Sequence, residues 1–294
     1  MRIGLLVAAL LLLAPLPEFA QALPASKTLP PGPGSFVDVD GSKLYYEECG
    51  DAPQTVLLLH DGIAHSAVWE AVWPAFCKRF HTIRFDRRGY GRSPAGATLY
   101  NELDDVSLLL HHLKVRKTIV IGSSHGGEIA IGFTLQHPEV VQQLVLVGAV
   151  VGGLSFSDQF FQRGIENSKP FGANDVAAGI ANWAKDKYLL APGHDAARKQ
   201  LLALLTASPQ DLTHDDYARP IPPELSRLHE IRVPTLILTG DADIPDVHAH
   251  AGAIEAGIPG SRRMMISDSG HLMYLEKPEE FTRTVFAFLD LNSN

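Results

Sequence analysis

Short apolar runs separated by stretches of helical periodicity set the rhythm of this chain. Residues 55–60 (Thr-Val-Leu-Leu-Leu-His), 82–85, 118–121 and Val141–Val147 are compact, mostly unbroken runs, the pattern of parallel strands covered on both faces. Ser35–Val39 alternates instead, 43–48 is a second strand-like run, and Asp40-Gly41 between them is a hairpin signal. Helical patterns fill the gaps: one carries Trp69, Val72, Trp73 and Phe76, one spans 101–113, and one runs from Ser124 to His137. This alternation predicts an α/β fold with a mainly parallel, doubly wound sheet. After the sixth strand the rhythm breaks. Between Val151 and Arg232 only helical patterns occur, at 158–167, 177–189 and 196–205, and strands resume at 234–239 and 263–266 before a last helix at 278–289. An insertion at one point of an α/β sheet reads as a helical cap over the strand ends. The expected division is therefore a core of 35–150 and 233–294 with a cap of 151–232.

The N-terminus follows different rules. Met1-Arg2 is a short positive start, 3–14 is an uncharged apolar run shorter than the ~20 residues a membrane span needs, and Ala20-Gln21-Ala22 fits a small-x-small cleavage site. Residues 1–22 are thus expected to be a secretory signal peptide cut after Ala22, with the mature protein secreted or periplasmic and without stable membrane insertion. Residues 23–34, rich in Pro and Gly, read as an extended tether.

Charge and cysteine content narrow the partners. The formal net charge of −8 argues against nucleic acid and anionic lipid as ligands. Two cysteines, Cys49 and Cys77, do not make a disulfide framework, and two separately buried small side chains are the favoured reading, with a pair as the alternative.

Candidate chemistry centres on residues 119–130. A β-branched strand turns into a helix through Gly122-Ser123-Ser124-His125-Gly126, a G-x-S-x-G pattern centred on Ser124. Glycines on either side let strand and helix approach closely, and the residue at the apex is pushed out with a helix N-terminus behind it. A serine nucleophile needs that exposure, a fixed direction and backbone N–H groups for an oxyanion. Gly89-Tyr90-Gly91, by contrast, lacks the third glycine of a dinucleotide loop, and Pro94 opposes the helix that should follow it. No cofactor is expected. His248 and His250, near Asp243 and Asp246, are better explained as solvated loop histidines than as metal ligands.

Four motifs in order carry a family resemblance: His60-Asp61-Gly62 with Trp69 beyond it, Asp86-Arg87-Arg88-Gly89-Tyr90-Gly91-Arg92-Ser93, the elbow at Ser124, and Gly270-His271 followed by Leu275-Glu276-Lys277-Pro278. Residues 35–294 resemble the α/β-hydrolase superfamily in its capped bacterial esterase branch. The resemblance implies a triad in the order serine, acid, histidine: Ser124 as nucleophile, His271 as base, and an acid on the loop Gly240-Asp241-Ala242-Asp243. Asp243, three residues after the glycine, is the expected acid, with Asp241 and Asp246 as competitors that otherwise serve as loop-turn residues. It also implies an oxyanion hole formed by the backbone N–H groups of His125 and Gly62, with Ile63 as the alternative to Gly62. Asp61 stands where the family commonly has glycine, and its carboxylate must point away from a developing negative charge. Phe160, Phe161, Trp183 and Tyr188 are expected mostly to be core between cap helices. The implied activity is hydrolysis of a small-molecule carboxylic ester or lactone through an acyl-enzyme. The alternatives on the same triad are cofactor-free perhydrolysis of the haloperoxidase-like kind, carbon–carbon bond hydrolysis, amide cleavage, or service as a hydrolase-like ligand receptor.

Overall fold

The structure is a computed structural model that describes residues 34–292; the signal-peptide reading of 1–22, and all of the tether but Gly34, fall outside these. Its sheet has eight strands in the order β1-β2-β4-β3-β5-β6-β7-β8. β1 (Ser35–Val39) and β2 (Ser42–Cys49) form the antiparallel hairpin across Asp40-Gly41, and β2 continues antiparallel onto β4 (His81–Phe85). The other strands, β3 (Thr55–Leu59), β5 (Thr118–Ser123), β6 (Val141–Val147), β7 (Thr235–Gly240) and β8 (Arg262–Ile266), run parallel with β4. Every residue of β3, β5 and β7 is buried, which is why their sequences show runs rather than alternation. Two apolar layers result. One face of the sheet packs on Trp69, Phe76, Tyr274 and Phe281, the other on Leu103, Val106, Ile129 and Phe133.

The helices are α1 (Trp73–Arg79), α2 (Glu102–His112), α3 (His125–Gln136), α4 (Asp158–Ser168), α5 (Val176–Lys185), α6 (Asp195–Ala207), α7 (Pro245–Gly257), α8 (Met273–Glu276) and α9 (Pro278–Leu291). The first expected helix is divided: a 3-10 turn at Ser66–Trp69 precedes α1, which has Pro at its start. α7 overturns the reading of His248 and His250 as solvated loop residues. Pro245 opens a helix there, and His250 is buried, accepting a hydrogen bond from the Val151 N–H at Nδ1 and stacking on Phe156.

The cysteines are also corrected. Cys49 and Cys77 form a disulfide with a Cα–Cα distance of 5.2 Å. Cys49 ends β2 opposite Thr82 of β4, and Cys77 lies in the helix that feeds β4, so the α1-to-β4 connection folds one thiol over the other. Closing this 28-residue separation is worth about 3–4 kcal/mol in the chain-entropy treatment.

Between β6 and β7 the chain carries α4, α5 and α6 and no strand. This insertion is fastened at its base and over its length. The Glu224 and Leu225 N–H groups both donate to Gly152 O, each at 3.0 Å. Asp246 accepts from the backbone N–H and hydroxyl of Ser157, the N-cap of α4, at 2.6 and 2.9 Å, so it is an anchor for the insertion rather than a plain turn residue. Asp211 accepts from the N–H groups of His65 and Gly91. α4 has no buried residue, and Phe161 is exposed, so the expectation that the aromatic side chains here are mostly core fails for that helix.

Candidate active site

β5 is the central strand of the parallel region, and the chain leaves it through Ser124 at φ 54°, ψ −118°. A side-chain-bearing residue in this region costs of order 1–3 kcal/mol, so the surroundings must hold it. They do so by close approach. A Cβ on Gly122 would strike the Gly126 carbonyl, and a Cβ on Gly126 would strike the carbonyls of Leu59 and His60. The Ser124 N–H donates to Val147 O at 2.9 Å, which ties the apex to the end of β6. The two serines of the motif differ sharply. Ser123 is fully buried with its hydroxyl 3.2 Å from that of Tyr274, whereas Ser124 is partly exposed and its hydroxyl does not cap α3.

Of the three candidate aspartates, Asp243 is the one that meets His271. His271 Nδ1 lies 2.8 Å from Asp243 Oδ2, and both side chains are buried. The Ile244 N–H holds the other Asp243 oxygen at 2.7 Å. Asp241 is exposed and accepts from the Ser269 N–H, and Asp246 is spent on Ser157. Burial alone would depress the His271 pKa, but the Asp243 carboxylate outweighs it and leaves the imidazole above its ordinary value. Gly148, the residue after Val147, adjoins this pair: a Cβ there would lie 2.9 Å from His271 Nδ1 and 3.4 Å from Asp243 Oδ2. Ser124 and the Asp243–His271 pair therefore converge on the 147–148 turn from three different strand ends.

The turn after β3 answers the question raised by Asp61. Its Oδ1 accepts from the N–H groups of Ile63 at 2.6 Å and Ala64 at 3.0 Å, and its Oδ2 accepts from the Tyr274 hydroxyl at 2.9 Å. The carboxylate thus caps its own turn, and the Ile63 N–H is committed to it. Gly62 lies beside the elbow, where a Cβ would fall 3.9 Å from that of His125. An aspartate ahead of a short helical turn is a local signal for this arrangement.

The sequence reading of His125 stopped at its N–H. Its ring is held on both sides, Nε2 by Glu102 at 2.7 Å and Nδ1 by Glu128 at 3.0 Å. Burial opposes charge on this ring, but Glu102 prevails and the pKa is pushed up to about 10, so His125 is an imidazolium at neutral pH. Glu102 in turn pairs with Arg87 at 2.7 Å. Glu102 does not stand out in the sequence, and Arg87 enters it only as a member of the 86–93 motif, with no role of its own. The insertion meets the site on the His271 side, where the His271 and Leu272 N–H groups donate to the carbonyls of Tyr188 and Leu189 at 2.8 and 3.0 Å. Glu276 accepts from the N–H groups of both Gly270 and Ala191.

A mainly parallel sheet whose central strand ends in a strained serine elbow at the start of a helix is the architecture of α/β hydrolases. The chain belongs to the α/β-hydrolase fold family, whose model matches residues 54–278. It is similar to a 2-hydroxy-6-oxononadienedioate/2-hydroxy-6-oxononatrienedioate hydrolase of Klebsiella pneumoniae, 27% identical over 86% of this chain and 94% of the relative. Among solved structures it is similar to Est816, an N-acyl homoserine lactone degrading enzyme (26% identity, TM-score 0.67, covering 86% of this chain and 100% of that one). It is also similar to the esterase EaEST of Exiguobacterium antarcticum (26% identity, TM-score 0.72, covering 87% and 99%).

Proposed function

We propose that the protein is a serine hydrolase that cleaves a small carboxylic ester or lactone. The observation that carries this reading is the strained Ser124 apex sharing the 147–148 turn with the buried Asp243–His271 pair. His271 Nε2 takes the Ser124 proton as Oγ attacks the carbonyl carbon, and Asp243 keeps Nδ1 protonated and stabilises the imidazolium. The oxyanion is received by the N–H groups of Gly62 and His125. Collapse of the tetrahedral species returns the proton to the leaving alkoxide and leaves an acyl-enzyme. Water, deprotonated by the same histidine, then releases the acid. A second reading has the Klebsiella relative in its favour: a 2-hydroxy-6-oxo-dienedioate contains no ester, so its hydrolysis breaks a carbon–carbon bond.

The insertion is the proposed selector of substrate, since its 188–191 segment borders His271. Trp183, half-buried against the core and bonded through Nε1 to Ser168 Oγ at 3.3 Å, is a suitable probe. A panel of p-nitrophenyl esters of graded acyl length, N-acyl homoserine lactones and a 6-oxo-dienedioate tests both ideas. Esters or lactones should turn over steadily, and Trp183→Ala should redistribute rates among acyl lengths. Turnover of the oxo-dienedioate alone would select the second reading, and an unchanged acyl profile in a folded Trp183→Ala variant would move selectivity to the core loops.

Export through residues 1–22 remains part of the proposal. The Cys49–Cys77 disulfide supports it, because such bonds persist in oxidising compartments. Mass spectrometry of protein from its native envelope should give an N-terminus at Leu23, and an intact Met1 or Arg2 on membrane-bound protein would mean an anchor.

A further inference from the structure

The two backbone N–H groups assigned to the oxyanion come from separate elements, the turn after β3 and the start of α3. The β3–β5 pairing and the close approach of Gly126 to the Leu59 and His60 carbonyls bring the two elements together, yet an oxyanion hole works only if both donors are also aimed at one point before charge develops. A single buried side chain joins them.

Glu102, at the start of α2, is buried. Its Oε2 holds His125 Nε2 at 2.7 Å, and His125 is the residue that supplies one donor. Its Oε1 holds Arg87 Nη1 at 2.7 Å, while Arg87 Nη2 donates to Asp61 O at 2.8 Å. That carbonyl belongs to the peptide unit whose other end is the Gly62 N–H, the second donor. His60 reinforces it. The Arg87 N–H donates to His60 Nε2 at 3.0 Å, so the ring proton sits on Nδ1, which donates to Asp61 O at 2.7 Å. The Asp61 carbonyl therefore accepts two hydrogen bonds, which fix the peptide plane and polarise its N–H end. Glu102 is too deeply placed to touch substrate. From this chain of contacts, resting on the serine-hydrolase reading above, the geometry points to Glu102 as a positioning residue that, through Arg87 and His125, sets the spacing and direction of the two oxyanion donors.

The charges around His125 make the idea testable beyond rate alone. Its ring faces Glu102 from α2, Glu128 from α3 and Arg87 from the loop after β4, and it also feels Glu224 from the segment before β7. Removing the Glu102 charge takes away its principal support, so the imidazolium titrates at lower pH.

The experiment measures kcat and KM of the wild type, Glu102→Gln and Arg87→Lys from pH 5 to 10 on the best ester, with near-ultraviolet circular dichroism to verify folding. Arg87→Lys keeps the charge beside Glu102 but cannot reach both Glu102 and Asp61 O, so it decides the matter if Glu102→Gln does not fold. Both folded variants should lose roughly 10- to 100-fold in kcat with KM changed little, since the lost interaction matures in the transition state. Glu102→Gln should also gain a fall in kcat on the alkaline side below pH 9 that the wild type lacks. Folded variants with wild-type kcat and pH profile would overturn the inference while Ser124-dependent turnover by the wild type left the hydrolase reading standing. Wild-type turnover that survives Ser124→Ala would overturn both.

Discussion

Replacing Ser124 with alanine is expected to cut turnover of the best ester by roughly four to six orders of magnitude while the protein stays folded. The fold should survive because the Ser124 hydroxyl does not cap α3 and the apex is held through its backbone, by the bond to Val147 O. A fluorophosphonate should attach to Ser124 in the wild type and fail to attach in the variant. The neighbouring serine gives an internal control. Ser123 is fully buried and bonded to Tyr274, so Ser123→Ala should perturb stability and leave labelling in place. A phosphonyl adduct mapped to Ser123 by peptide mass spectrometry would sink the assignment.

The second large effect separates two aspartates on one loop. Asp243→Asn should reduce kcat by about three to four orders of magnitude, because an amide in that place favours the wrong histidine tautomer. Asp241→Asn should change it several-fold at most, since Asp241 is exposed and serves only the Ser269 N–H. The pH profile adds a signed test. In the proposed mechanism His271 acts as a base only when neutral, so activity should rise with pH through its pKa. In the wild type Asp243 overcomes burial and holds that pKa above its ordinary ~6.5. Residual activity of Asp243→Asn should therefore reach its plateau at lower pH than the wild type. A limb that stays put, or a worse loss in Asp241→Asn, would mean that Asp243 is not the partner that tunes the base.

Much of the sheet was legible because the physics is local. Buried parallel strands demand apolar runs and a half-exposed hairpin strand alternates, and Val141–Val147 and Ser35–Val39 respectively match the expected bounds. The elbow was legible for the same reason, since a strand-to-helix turn needs small residues at fixed places. Pairings across long sequence separations were not. Nothing near Cys49 indicates that α1 will lay Cys77 over it, and nothing near Glu102 indicates that it will reach both Arg87 and His125. α7 was missed because its sequence, Pro-Asp-Val-His-Ala-His-Ala-Gly-Ala-Ile-Glu-Ala-Gly, carries too few large apolar residues to show a stripe. Asp61 looked like a liability because its role depends on Tyr274, far along the chain.

The join between residues 188–191 and the His271 loop limits how the two halves can be exchanged. A chimera that transplants a foreign insertion between β6 and β7 must also supply acceptors for the His271 and Leu272 N–H groups and a donor for Glu276. Swaps that retain 186–191 must also keep Arg163 and Asn167 of α4, which donate to Asp186 and so hold that segment in place. For laboratory evolution the useful crossover points are therefore inside the insertion rather than at its ends, and libraries in α4 should leave Arg163 and Asn167 fixed so that the segment against His271 keeps its anchor.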